Sequence, residues 1–379
     1  MARGALALHR PRHPRPHAPA SVHEEDTRGD ARTGRLSRRR ARRDRAGAAR
    51  RLGGRRAARA CARARAPVPA RVPVRRRRDA EVISVLIPVK DGGDDLVRCL
   101  EGIARQQVGD DVEVVIVDSG SRDGSQARAA GLGARVHEIP PDEFVHGATR
   151  NLAARLSRGD VLVFTTQDAV AADERWLANL VAPLGDDDVA GAYGRQLPHE
   201  DATPPEQFFL DFMYGPSPRV QRLGGDELTF EHTMFSNVNS AIPRHVWEAY
   251  PFADDVTMSE DQEWSRRVLL AGRTIVYEPR AAVRHSHTYS LAGAFRRFYA
   301  SGASADRAYV AGRASRAALR RALRRYAAGE LGWLWRTKQR RWIPYSVVYE
   351  LAKVSGLQLG LRHRRLPRPL ARFLPGVRR

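Results

Sequence analysis

Three stretches of the chain are nearly unbroken apolar runs rich in β-formers: Val82-Ile83-Ser84-Val85-Leu86-Ile87-Pro88-Val89, Val112-Glu113-Val114-Val115-Ile116-Val117 and Val161-Leu162-Val163-Phe164-Thr165. The third shows no alternation, which marks a strand buried on both faces, as in a parallel sheet. Pro88 has no N–H to give a ladder, so the first strand ends about there. Between the first two runs, Leu96, Leu100, Ile103 and Ala104 recur at helical spacing, and another helix begins near Ser125. Strand, helix, strand, helix predicts right-handed βαβ units and an α/β fold.

Each run leads into an acid: Asp91, Asp118 and Asp168. In open α/β sheets ligands bind beyond the carboxyl ends of the strands. Three acids at the ends of neighbouring strands therefore predict a polar crevice along one sheet edge; turn or helix-capping aspartates are the alternative. Neither Gly-x-Gly-x-x-Gly nor a Walker loop is present, which disfavours a dinucleotide dehydrogenase or a P-loop NTPase.

Further along, Trp176, Leu177, Leu180 and Val181 form an amphipathic set, and Val189 to Leu197 reads as a strand. Residues 198–230 mix Pro, Gly and charge and predict an irregular lid or acceptor loop. Its aromatics, Phe208, Phe209, Phe212 and Tyr214, are core or sugar platform. In Phe235 to Ile242, Asn237 and Asn239 either donate to sugar hydroxyls or satisfy a bend. Ser259-Glu260-Asp261-Gln262-Glu263-Trp264 opens a helix, with Ser259 as N-cap, Gln262 closing a capping box, and Trp264, Val268 and Leu269 on the buried side. Val276 onward is a strand running to His285 and His287, which point to one side in strand geometry.

Charge divides the chain of 379 residues, long enough for two or three domains, into unlike pieces. The net +22 averages a first segment, 1–80, at +19, a body, 81–290, at −15, and a tail, 291–379, at +18. Segment 1–80 has 25 Arg and no Ile, Phe, Tyr or Trp, so disorder is expected. It also lacks Lys, Asn and Gln, the pattern expected of GC-rich DNA translated upstream of a true start. Two cysteines argue against a disulfide framework and for a reducing compartment. No apolar run approaches the roughly 18 residues of a membrane span, and no signal-peptide core follows the N-terminal arginines. Nucleic-acid binding is disfavoured, because the body is acidic and carries no recognition motif.

In the tail, Phe295, Phe298 and Tyr299 begin a helical region. Arg320-Arg321 and Arg324-Arg325 recur beside Leu319 and Leu323, followed by Trp333, Trp335, Trp342, Tyr345, Val348 and Leu351. Arginines with interfacial aromatics predict helices lying on an anionic membrane surface; a helical appendage packed on the catalytic body is the alternative.

Ile87-Pro88-Val89-Lys90-Asp91 and Val117-Asp118-Ser119-Gly120-Ser121-Arg122-Asp123-Gly124-Ser125, at their spacing, resemble the opening of family 2 glycosyltransferases of the GT-A fold. The resemblance continues through Gly147-Ala148-Thr149-Arg150-Asn151 and Gly159-Asp160 to Gln167-Asp168. Thr166-Gln167-Asp168-Ala169, Tyr193-Gly194-Arg195-Gln196-Leu197-Pro198, Glu260 to Trp264 and His285-Ser286-His287 look most like bacterial rhamnosyltransferases.

This resemblance implies an α/β GT-A fold, a Rossmann-like and mostly parallel sheet, with a nucleotide half (81–168), an acceptor half (169–290) and a C-terminal helical extension. Pro88, Val89, Asp91 and Asp118 would surround base and ribose, with Arg150 near the diphosphate and Gln167 and Asp168 beside it. The family usually carries Asp-x-Asp at its metal; here Gln167-Asp168-Ala169 leaves one carboxylate. Asp168, with His285 or His287, would hold a divalent ion, Mg²⁺ or Mn²⁺. Asp261 would be the catalytic base, kept ionised at the helix N-terminus, with Asn237, Asn239, Glu260 and Trp264 on the acceptor side. The implied activity is inverting transfer from dTDP-rhamnose or a similar nucleotide-sugar to a growing glycan or lipid-linked acceptor, at the cytoplasmic face of the cell membrane. Another donor, such as a UDP-hexose, and a non-catalytic nucleotide-sugar-binding protein are the rivals. A processive synthase is disfavoured, since Gln262-Glu263-Trp264 lacks the Gln-x-x-Arg-Trp spacing.

Overall fold

A computed structural model describes residues 82–224, 228–256, 258–308 and 312–365. The arginine-rich segment 1–80, with the expectations of disorder and upstream translation attached to it, lies outside the described residues. The first half of the sheet runs β1 (Val82–Val89), α1 (Gly93–Ala104), β2 (Asp111–Asp118), α2 (Ser125–Gly131), β3 (Arg135–Glu138), α3 (His146–Leu156) and β4 (Val161–Thr165). The second half runs β5 (Val170–Ala171), α4 (Trp176–Val181), β6 (Val189–Leu197), α5 (Pro204–Met213), β7 (Arg219–Gln221), β8 (Asn239–Pro243), α6 (Arg244–Ala249), α7 (Glu260–Leu270) and β9 (Thr274–Arg284). The tail is helical: α8 (Leu291–Ala308), α9 (Gly312–Arg336) and α10 (Ile343–Gly360).

Among the described residues one sheet has the order β3-β2-β1-β4-β8-β6-β9-β5, with β7 paired to β9. β1, β2, β3 and β4 are mutually parallel, and β8 runs antiparallel to both β4 and β6. Leu86, Leu162 and Phe164 pack into one core layer, whereas Val85, Ile87 and Val163 pack into the layer on the other face. Neighbouring positions thus enter opposite cores, which is why these runs show no polar alternation. Val89 pairs with Asp118, so the ends of β1 and β2 are level.

Residues 198–230 depart from the irregular loop expected of them. Pro204 and Pro205 open α5, where a proline costs no hydrogen bond, and β7 follows. The tail packs on this region: the Phe208 ring lies 5.5 Å from Tyr326 and 5.9 Å from Trp333. α8 and α10 approach so closely that a Cβ added at Gly356 would sit 2.3 Å from the Phe295 carbonyl oxygen. No described helix is long and apolar enough to cross a membrane.

Candidate active site

β5 is only two residues long, yet it builds half of the site. Val170 and Ala171 pair with Arg284 and Val283 at the end of β9, and this brings Asp168 against the residues that follow β9. A carboxylate oxygen of Asp168 lies 3.7 Å from His285 Nε2, and the other lies 3.3 Å from His287 Nε2. One ligand atom from each of the three residues falls within 4.8 Å of the others. Burial pushes the His285 imidazole down to about 4, so its ring is neutral near pH 7. Burial alone would raise Asp168, but the two imidazoles hold it below its ordinary value. Gln196, at the end of β6, fixes the tautomer: its Oε1 lies 3.0 Å from His285 Nδ1, while its Nε2 donates to Ser236 Oγ. His285 Nδ1 must then carry the proton, leaving Nε2 with a free lone pair toward Asp168. One carboxylate and two neutral imidazoles with convergent lone pairs are a donor set suited to a divalent ion.

The second half of the site is the first turn of α7. Glu260 is buried and pairs with the equally buried Arg150 at 3.0 Å; Asn237 Nδ2 also donates to it. Burial acts to raise the Glu260 carboxyl, but Arg150, then His146, hold it low, so it stays ionised. Asp261 beside it is pushed up to about 7, first by burial and then by the charge of Glu260. The backbone N–H groups of Gln262 and Asn237 donate to it without reversing this. The expectation that the helix N-terminus keeps Asp261 fully ionised is corrected: desolvation and a like charge outweigh the dipole. The capping box is absent as well. Ser259 takes a left-handed φ of 65° and makes no side-chain cap, and Gln262 turns its amide to Met234 Sδ at 3.9 Å.

Both halves line one cavity of about 490 Å³. It joins Asp168, His285 and His287 to Arg150, Asn237, Glu260 and Asp261. The strand-end residues lie beside it, as a separate ledge. Asp118 is fully buried and accepts from Gly120 N, Ser121 N, Ser121 Oγ and Gln126 Nε2. Asp91 accepts from Arg122 N, and Val89 O from Ser119 N. Gln167 exchanges two hydrogen bonds with the Lys90 backbone, tying β4 to the end of β1 next to Pro88.

Two acceptor-side residues of the sequence reading stand outside the cavity. The Asn239 amide is consumed by Trp176 Nε1, Arg195 O and Ala281 O. Gly194 makes room for it, since a Cβ there would lie 2.3 Å from Asn239 Nδ2. Trp264 is fully buried, its ring 4.7 Å from that of Phe235. Both side chains hold the sheet and helix together and present no surface to a sugar. Arg150, expected near diphosphate, gives Nη1 to Glu260 instead. Sequence reasoning missed Gln196, although it sits in the Tyr193 to Pro198 stretch. It also missed the tail's share of the wall, which includes Arg297, Tyr326, Tyr349 and Lys353. The aromatic clustering of the tail was the available signal, read there as a membrane face.

The Glycosyl transferase family 2 model matches residues 84–248. The O-antigen chain rhamnosyltransferase RfbN of Salmonella typhimurium is 31% identical over 303 residues, covering 77% of this chain and 93% of that protein. The O-antigen chain rhamnosyltransferase WbaN of Salmonella anatum is 30% identical over 280 residues, covering 71% of this chain and 86% of its own. Among solved structures, the mannosyltransferase PcManGT from Pyrobaculum calidifontis, in complex with GDP-Man and Mn²⁺, aligns with a TM-score of 0.48 at 15% identity, over 78% of this chain and 79% of that one. The α/β sheet with its C-terminal helices agrees with the α/β fold and helical extension that the sequence motifs imply. With a relative at this identity matched over nearly its whole length, the chain belongs to glycosyl transferase family 2 and is a glycosyltransferase.

Proposed function

We propose that this enzyme transfers L-rhamnose, with inversion, from a nucleoside-diphosphate donor such as dTDP-rhamnose to a hydroxyl of a growing cell-surface glycan. The names of the two Salmonella relatives support the sugar and the acceptor class. The observation that carries the mechanism is that a single cavity is lined both by the Glu260–Asp261 pair and by Asp168, His285 and His287.

The donor's base and ribose rest on the ledge at Pro88 and Asp91, which the buried Val89 and Asp118 frame from beneath, with Gln167 holding its two strands in register. Asp168, His285 and His287 would hold Mg²⁺ or Mn²⁺, which when bound supplies positive charge to the diphosphate. Asp261 takes the proton of the acceptor hydroxyl. The freed oxygen bonds to the anomeric carbon from the face opposite the diphosphate, the carbon–oxygen bond to phosphate breaks, and the nucleoside diphosphate leaves with that electron pair. A carboxylate titrating near 7 is matched to this task, because it is both substantially ionised and basic enough to accept a proton. Arg150 and Asn237 act through Glu260, keeping the neighbouring charge that raises Asp261.

The membrane reading applies to the outer faces of the tail. Arg316, Arg320 and Arg324 are exposed along one side of α9 with Leu331 and Trp335, and Val347, Val348 and Leu351 are exposed on α10. Cationic and apolar groups presented together suit an anionic membrane surface, where a lipid-linked acceptor would be found.

The test is incubation of the full chain with dTDP-rhamnose, UDP-glucose and GDP-mannose, reading released nucleotide with and without chelator. Metal-dependent release from dTDP-rhamnose is the expected result. Release from another donor alone would overturn the sugar assignment, and chelator-insensitive release would overturn the metal assignment.

A further inference from the structure

Three arginine and lysine side chains line the cavity: Arg150, Arg297 and Lys353. Two are already neutralised. Arg150 lies 3.0 Å from Glu260, and Lys353 Nζ lies 2.6 Å from Glu350 within a ring of aromatic side chains that includes Phe209 and Tyr326. Arg297, on α8, has no carboxylate within ion-pair distance among the described residues. Its guanidinium instead lies over the Tyr289 ring, 5.5 Å from the centroid. Tyr289 in turn lies 5.4 Å, ring to ring, from His287, which is 3.3 Å from Asp168, so Arg297 stands at the end of the cavity that holds Asp168.

Its position is fixed by the tail's own packing. α8 is pressed against α10 at Gly356 and Gly360, each of whose added Cβ would meet a carbonyl oxygen of α8 at 2.3 Å or less. It is tied to α7 by Arg266 Nη1 donating to the Arg307 carbonyl at 2.8 Å. An exposed arginine with no carboxylate partner among the described residues is the residue type that grips phosphate oxygens in a fork.

We infer that Arg297 binds the terminal phosphate of the nucleoside diphosphate, so that the C-terminal helices supply counter-charge to the leaving group. The inference rests on the glycosyltransferase reading above and assigns this family member's diphosphate cation to the tail. A departing diphosphate carries more negative charge than a dication shared with Asp168 offsets, and Arg150 is spent on Glu260. Only Arg297, of the three, has its charge available.

The test is calorimetric titration of the full chain, in Mn²⁺, with dTDP, UDP and GDP and with the matching monophosphates, comparing wild type with Arg297→Ala and Arg297→Lys. Losing a charge-assisted fork should weaken diphosphate binding about 10- to 100-fold. Monophosphate affinity should change less than about threefold, and the lysine variant should recover part of the loss. Because the side chain is exposed and makes no ion pair among the described residues, both variants should melt close to the wild type. Equal diphosphate affinity in wild type and Arg297→Ala, or a parallel loss for mono- and diphosphates, would overturn the inference while leaving the transferase reading intact. A wild type that binds none of the diphosphates would overturn the transferase reading itself.

Discussion

The strand-end ledge and the cavity beside it treat carboxylates in opposite ways. On the ledge, Asp118 is surrounded by donors: two backbone N–H groups at 2.9 and 2.8 Å, a hydroxyl and an amide. Asp123 is similarly served by Ser125 Oγ and by the N–H groups of Ser125 and Gly93. In the cavity, Asp261 has a charged carboxylate for a neighbour and is pushed up to about 7. Saturated acids make a rigid frame that needs no ligand to hold its shape. Acids set against each other make a site whose charge state responds to pH and substrate. On the proposed mechanism, the first region supplies binding shape and the second reactivity.

The largest effect should come from removing the reactive member. Asp261→Asn should lower turnover about 10²- to 10⁴-fold with the donor KM little changed. In the wild type, turnover should fall as pH drops through about 7, the value at which Asp261 takes up its proton. Stability should run the other way. A folded value raised above the unfolded one favours the folded state at low pH, and this is lost as pH rises through 7. Asp261→Asn should thus melt above the wild type at pH 8.5 and lose that advantage near pH 4, as thermal denaturation would read. A variant that still turns over at the wild-type rate while folded would remove Asp261 from the mechanism and erase the contrast with the ledge.

Next in size is the pair that creates the contrast. Glu260→Gln leaves Arg150 buried without its counter-charge, and breaking a buried pair of this kind costs about 3 kcal/mol of stability. Both side chains are under a tenth exposed, so screening by water does not reduce that figure much. The same change removes the like charge from Asp261, so the acid limb of the pH–rate profile should move to lower pH. A profile that stays in place would mean that burial alone sets Asp261.

A smaller effect sharpens the comparison at the other end of the cavity. Gln196→Leu removes the acceptor that fixes the His285 tautomer. Mn²⁺ affinity should fall about 10- to 100-fold, the usual cost of losing such a support, and the melting temperature should drop modestly, because buried Ser236 and His285 lose their partner. Metal titration by calorimetry would read this directly.

How much of this was legible in sequence follows the same division. The strand ends are local: their acids sit one or a few residues past apolar runs, so spacing alone places Asp91 and Asp118 on the ledge and Asp168 at the rim of the cavity. The cavity is assembled by contacts between distant segments. Nothing in Ser259 to Trp264 tells that Arg150, on α3, pins Glu260, and without that contact the helix dipole seemed enough to ionise Asp261. Asn237 and Asn239 are alike in sequence, yet one reaches the cavity and the other is consumed by Trp176 and two carbonyls. Arg297 looked like one more basic residue of a basic tail. Its difference from Arg320 or Arg324 is which way its helix faces, and that is set by the glycines of α10.

The tail itself carries the last and smallest prediction, because its inner and outer faces do different work. Inward, Tyr326, Tyr349 and Lys353 wall the cavity. Outward, Arg320, Arg324, Trp335 and Leu351 touch no part of it. If the outer face is the membrane contact, Arg320→Gln and Arg324→Gln should each weaken binding to vesicles of phosphatidylglycerol and phosphatidylethanolamine by about 1 kcal/mol, or roughly fivefold. Trp335→Ser should weaken it in uncharged vesicles as well, where arginines contribute little. None of the three should alter kcat toward a water-soluble acceptor, since each lies on the far side of its helix from the reacting atoms. Equal loss of vesicle binding and soluble-acceptor turnover would show that the two faces are mechanically one, and that the tail serves only to close the cavity.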